Sequence, residues 1–194
     1  MNLTSENWPQ DPRFMLLMID GCLWKRIYKY LFIRQLKILQ RSIDKTDLEE
    51  KWEIIEKKGA EEAALKLLAR KSYFSSELRK KLEQRNLSVL AIEHALEKCV
   101  KFGYIDDARE SERFIQKEER MGRGPRLIKM KLKSKGIKAE VQINQKEAMQ
   151  KLLSTRLRKY SLKDPKQRQK AALALQRRGF DLELISALIY KESF

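Results

Sequence analysis

The chain is short of the residues on which most compact chemical sites are built. It has two cysteines, one histidine, four prolines and seven glycines in 194 residues. Cys22 and Cys99 have no Cys or His neighbour at metal-ligand spacing. That excludes a zinc knot or a disulfide framework and leaves two reduced thiols of a cytosolic protein. His94, the lone histidine, has no nucleophile in view, so a histidine-based catalytic arrangement has nothing to stand on. Helix interiors disfavour Gly and Pro, and their scarcity predicts a mostly helical chain. Apolar runs are short as well. None approaches the ~18 residues of a membrane helix. Phe14–Ile19 does not read as a signal peptide, because it is brief and follows Glu6 and Asp11. A soluble, cytoplasmic protein that binds rather than catalyses is expected, with no cofactor and no membrane partner.

What is abundant is positive charge. The 43 Lys+Arg against 27 Asp+Glu leave a formal charge of +16. Residues 1–107 hold 20 basic and 17 acidic side chains, whereas residues 108–194 hold 23 and 10. A basic field confined to one half predicts a polyanionic or acidic partner met by that half.

The chain also repeats itself. Glu77–Leu87, Leu127–Ile137 and Lys170–Phe180 superimpose without gaps. Apolar residues fall at Leu78, Ile128 and Ala171, and four positions on at Leu82, Leu132 and Leu175. Four later stands Asn86, Gly136 or Gly179, followed by Leu87, Ile137 or Phe180. A helix commonly ends in a left-handed residue, which Gly or Asn adopts at least cost, and the second residue past the end packs back on the last turn. Three segments therefore encode the same helix, the same stop and the same apolar plug.

Around these stops lie further helices. Glu61–Lys71 precedes the first, and Ser88 caps a helix bearing Ile92, Leu96 and Val100. Ala108–Met121 opens the second unit, with Phe114 and Ile115 inward. Gly122-Arg-Gly-Pro125 follows and reads as a turn, with Pro125 suited to the first turn of the next helix. Met149–Tyr160 opens the third, Asp164-Pro165 restarts the chain, and Asp181–Tyr190 closes it. The expected fold is mainly α: three tandem three-helix repeats over 59–107, 108–149 and 150–194, forming an elongated, curved array. Residues 1–58 stand apart as a small N-terminal segment. Within them, Phe14–Ile19, Asp20-Gly21 and Cys22–Ile33 fit a β-hairpin, while a helix over Leu23–Leu39 fits the same residues. Thr46–Glu49 starts a helix that runs to Lys57.

Two basic groups are candidates for DNA or protein contact. On the helix from Pro125 to Lys135, Arg126, Lys129 and Lys133 lie opposite Leu127, Ile128, Met130 and Leu132, with Arg123 just before and Lys135 at the end. No acid occurs between Arg120 and Glu140, so the stripe suits phosphate. The second group is Arg156, Arg158, Lys159, Lys163, Lys166, Arg168 and Lys170, suited to phosphates or to an acidic protein surface. Tyr73 and Tyr160 read as core-edge aromatics, with base stacking as the alternative. Asp106 and Asp107 read as a helix cap and a favourable charge at a helix N-terminus rather than metal ligands.

Several stretches together resemble the RecX family of regulators of the RecA recombinase. They are Ser76-Glu77-Leu78-Arg79-Lys80-Lys81-Leu82, Phe102-Gly103-Tyr104-Ile105-Asp106-Asp107, Gly122 through Ile137, and Arg177-Arg178-Gly179-Phe180. The likeness covers roughly residues 59–194. Where the family usually has Gly, this chain has Asn86. Gln142 and Lys146 replace apolar residues, which predicts a short or shifted third helix in the second unit. The resemblance implies a modulator, mainly an inhibitor, lying in the groove of a RecA–single-stranded DNA filament; a monomer is expected. It implies filament disassembly, or a block of strand exchange and ATP hydrolysis. A general nucleic-acid-binding protein without a recombinase partner is the alternative reading of the same basic surface.

Overall fold

Asp20 and Gly21 decide the first element. Both adopt positive φ, 47° and 82°, the combination a tight two-residue hairpin turn requires. They join β2 (Phe14–Ile19) to β3 (Cys22–Tyr28), and the helix alternative for Leu23–Leu39 is overturned there. The second half of that span is helical, as three consecutive short turns: α1 (Lys29–Phe32), a 3-10 turn (Ile33–Gln35) and α2 (Leu36–Leu39). A strand that sequence patterning did not reveal, β1 (Leu3–Asn7), pairs antiparallel with β2 and completes a sheet of order β1-β2-β3. Leu3, Met15, Leu17 and Ile27 are buried on one face. A bulge at Leu17/Met18 leaves Trp24 as the extra residue, and its ring meets Trp52 edge-on at 5.9 Å.

The structure is a computed structural model that describes residues 1–191. The chain forms two units that divide after Asp106. The first holds the sheet and three longer helices, α3 (Lys45–Leu68), α4 (Ser75–Glu83) and α5 (Val89–Lys101). Where the sequence suggested one helix ending at Lys57 and another opening at Glu61, α3 runs unbroken. Gly59 costs a helix interior ~1 kcal/mol, but here it is a seat: a Cβ would lie 2.5 Å from the Phe32 ring. Packing against Phe32, itself buried against Trp52 at 4.9 Å, offsets the weak propensity. Asp44 caps α3 by accepting from the Asp47 amide at 2.9 Å, and Asp47 accepts from the Ile43 amide at 2.9 Å. Buried Glu56 binds the head of α5 through the Ser88 amide at 3.0 Å and hydroxyl at 2.7 Å.

The second unit contains α6 (Asp107–Arg120), α7 (Pro125–Ser134), α8 (Gln145–Ser154), α9 (Pro165–Arg177) and α10 (Leu182–Ser186), which continues as a π-helical turn, Ala187–Lys191. Met149, Leu152, Ala171, Leu175, Phe180 and Ile185 form the buried cluster of its last three helices. Two boundaries differ from expectation. No helix forms over 136–144, in keeping with polar Gln142 in that stretch. The next helix begins at Gln145 rather than Met149 and ends at Ser154 rather than Tyr160. Asn144 sets that start by accepting from the Glu147 amide at 3.2 Å.

The helix stops have the expected geometry. Asn86, Gly136 and Gly179 take φ of 57°, 77° and 85°. The Ile137 amide donates to the Leu132 carbonyl at 3.0 Å and the Phe180 amide to Leu175 at 3.4 Å, the six-to-one bond of this motif. Leu82, Leu132 and Leu175 are fully buried. Asn86 earns its place where Gly is usual, because its amide nitrogen donates to the Arg26 carbonyl at 2.6 Å and its oxygen accepts from the Arg26 guanidinium at 3.1 Å. It ties the stop of α4 to β3.

Candidate functional site

The helix α7 is anchored before it can present anything. The Gly124 amide donates to the Arg178 carbonyl at 2.7 Å and the Arg126 amide to the Gly179 carbonyl at 3.1 Å. A Cβ on Gly124 would lie 2.5 Å from the Gly179 carbonyl, and one on Gly179 would lie 2.4 Å from the Leu127 nitrogen. The Gly122-Arg-Gly124 segment is thus more than a turn. It lets the start of α7 touch the stop of α9 backbone to backbone, and Gly122 itself abuts Leu152.

Acids meet much of the expected basic stripe. Arg126 pairs with Asp181 at 2.7 Å and Lys129 with Glu140 at 3.1 Å. Arg123 pairs with Glu118, which also receives Lys131 at 2.7 Å. Glu118 is 4% exposed. Burial pushes its carboxyl up, but hydrogen bonds from Lys131 and Arg123 outweigh that and hold it below the usual carboxylate range. Asp181 is held low chiefly by Gln145, whose amide donates at 2.5 Å, with Arg126 adding its charge. Lys135 lies over the Phe114 ring at 5.5 Å. Of the stripe, Lys133 alone is exposed without an ion pair or ring contact among the described residues.

The second basic group divides differently. Arg156 donates to the Met121 carbonyl at 2.7 Å, and the Arg168 Nε donates to the Leu162 carbonyl at 2.7 Å beneath Tyr190. Lys159 lies over Tyr160 at 5.1 Å. Arg158, Lys163, Lys166 and Lys170 are exposed and carry no ion pair among the described residues. Sequence reading missed Lys131 and Arg178; the latter donates to the Met121 and Gly122 carbonyls at 3.4 and 3.3 Å. Tyr73 and Tyr160 are half-buried against the two cores. Asp107 and Glu110 fall in the first turn of α6, where negative charge is favoured. His94 and Lys98 both bind Glu61, at 2.9 and 2.7 Å, joining α5 to α3. No helix among the described residues is long and apolar enough to cross a membrane.

Comparison with known proteins fits this arrangement. "Regulatory protein RecX" of Legionella pneumophila (strain Corby) is 33% identical over 139 residues, 68% of this chain and 92% of that protein. The chain belongs to the RecX family. The protein of the same name from Pseudomonas tolaasii is 34% identical over 134 residues, 65% of this chain and 86% of the relative. The family model for the RecX third three-helix domain matches residues 144–189, the span from the Asn144 cap through α10. A crystal structure of regulatory protein RecX superposes at a TM-score of 0.62 with 20% identity, covering 98% of this chain and 99% of that one. A second, RecX from Lactobacillus salivarius, gives 0.59 and 20%, covering 70% and 96%. At that identity the two share a fold with this chain.

Proposed function

We propose that this RecX-family chain regulates a RecA-type recombinase, mainly as an inhibitor. It binds as a monomer in the groove of the filament on single-stranded DNA, in the cytoplasm and without a cofactor. Occupancy there blocks strand exchange and ATP hydrolysis or promotes disassembly. The three-repeat division at 59–107, 108–149 and 150–194 belongs to the same proposal, each repeat offering a successive surface to the filament.

The observation that carries the reading beyond family membership is that, of the candidate basic residues, Lys133, Arg158, Lys163, Lys166 and Lys170 are exposed and carry no ion pair among the described residues. Solvated charges of one sign attract a polyanion and release its counterions on contact. Arg123, Arg126, Lys129, Lys135, Arg156, Lys159 and Arg168 support that field while also holding the fold.

The test is DNA-dependent ATP hydrolysis and strand exchange by the cognate recombinase, titrated with the full chain. Both should fall as the chain saturates the filament. Unchanged rates at saturation would exclude the proposal. The same cations support a second reading, a general nucleic-acid-binding protein with no filament partner. That reading predicts retention on DNA and none on the recombinase.

A further inference from the structure

We propose that the exposed face of α6, with Arg156 and Lys151 across the groove it borders, is a track for the phosphodiester backbone of a nucleic acid. The inference rests on the nucleic-acid contact proposed above and gives it a place that the candidate residues of α7 do not.

The helix sorts its charges. At 100° per residue, Arg113, Lys117 and Arg120 fall within about 60° of one another. Gln116 and Arg109 flank the same face. Ser111 and Glu118 are buried and Phe114 and Ile115 half-buried on the other side, whereas Arg113, Lys117 and Arg120 are all exposed. Glu112 and Glu119 lie to the side of the stripe. Arg113 reaches Glu110 only at 3.8 Å, and Lys117 and Arg120 have no ion pair among the described residues. The stripe runs for about 10 Å along the helix axis.

A groove continues it. One cavity of about 370 Å³ is lined by Arg113, Gln116, Lys117, Arg120 and Met121. A second of about 400 Å³ shares Arg120 and adds Lys151, Thr155 and Arg156, with Glu119 and Glu147 also on its wall. Two guanidiniums, those of Arg156 and Arg178, are bonded to the carbonyls at the C-terminal end of α6. A helix C-terminus favours positive charge, so the fold holds two arginines at the end of α6, of which Arg156 lines the second cavity. An Arg fixed at one nitrogen keeps further donors for a phosphate at a reduced entropic cost.

The chemistry favours a backbone over other polyanions. No aromatic ring lines either cavity, so bases have no stacking partner and sequence would not be read. The α6 stripe also lacks the apolar centre that protein interfaces carry, which argues against an acidic protein as occupant.

The test uses the full chain carrying Arg113→Glu, Lys117→Glu and Arg120→Glu, with fluorescence anisotropy on a labelled single strand and on a duplex at several salt concentrations. A pull-down of the cognate recombinase without DNA runs beside it. The expected result is an affinity loss of about tenfold or more, with the single-strand salt slope reduced by about 2. Wild-type affinity should be equal on different homopolymers, and recombinase capture should persist. Unchanged affinity and slope would overturn the track. So would loss confined to the recombinase pull-down, which would make the face a protein contact, or absence of DNA binding by the wild-type chain. The recombinase rates would still decide the regulatory reading in each of those cases. If the triple reversal fails to fold, Arg113→Gln, Lys117→Gln and Arg120→Gln carry the same test.

Discussion

Helices α6 and α7 look alike in one respect and differ in the one that matters. Each carries a row of basic residues opposite a buried side. On α7 two of the row's three cations are met by acids from elsewhere in the unit, Arg126 by Asp181 and Lys129 by Glu140, and Glu118 takes Arg123 just ahead of the helix. On α6, Arg113, Lys117 and Arg120 face solvent with at most a distant acid. A run without acids in the sequence is therefore no guide to free charge. Asp181 lies 55 residues from Arg126 in sequence, yet it touches that side chain because Gly124 and Gly179 bring their backbones together. The α7 row acts first as a fastening, and the α6 row is left for a partner.

Breaking the backbone contact between the start of α7 and the stop of α9 should have the largest effect. Gly179→Ala places a methyl 2.4 Å from the Leu127 nitrogen at a φ of +85°, so both backbone strain and overlap oppose it. A loss of about 3 kcal/mol or more is expected, read as a lower denaturant midpoint. Gly124→Ala should follow closely through overlap alone.

Next in size is Glu118→Gln, which leaves Arg123 and Lys131 without a counter-charge beside a buried amide. A cost of about 2 kcal/mol at pH 7 is expected, below that of a fully buried pair because both cations keep some solvent. The sign of the pH dependence follows from the lowered carboxyl. Its contribution is present in full above the ordinary glutamate value of about 4.3 and is lost as pH falls through the lower folded-state value. Unfolding curves in acid should show wild type approaching the variant there, with the difference restored at neutral pH.

The smallest effect sharpens the comparison. Asp181→Asn with Glu140→Gln removes one partly exposed and one exposed pair at a stability cost of about 1 kcal/mol or less. It frees Arg126 and Lys129, so α7 should come to resemble α6. Affinity for single-stranded DNA should rise a few-fold and the salt slope by about 1, measured by anisotropy.

Much of the fold was legible because it rests on local rules. The stops at Asn86, Gly136 and Gly179 announce themselves by residue type and spacing, and Asp164-Pro165 marks the start of α9. Other features depend on distant partners. Gly59 reads as a helix break until Phe32 fills the space above it. The strand β1 has only Leu3 buried and is held by pairing with β2, so its pattern is weak. The basic half of the chain was legible from composition. Its division into fastened and free cations was not, because salt-bridge partners are set by tertiary contact. The α6 stripe did leave a signal, Arg109, Arg113, Lys117 and Arg120 at helical spacing, hidden among the acids of the same segment.

The most direct test of this division is a side-by-side titration of single-stranded DNA with two neutralised chains. One carries Arg113→Ala, Lys117→Ala and Arg120→Ala; the other carries Arg126→Ala, Lys129→Ala and Lys133→Ala. The α6 variant should lose about 2 from the salt slope and the α7 variant less than about 1, since Lys133 is its one unpaired cation among the described residues. The opposite order, with the larger loss on α7, would contradict the account.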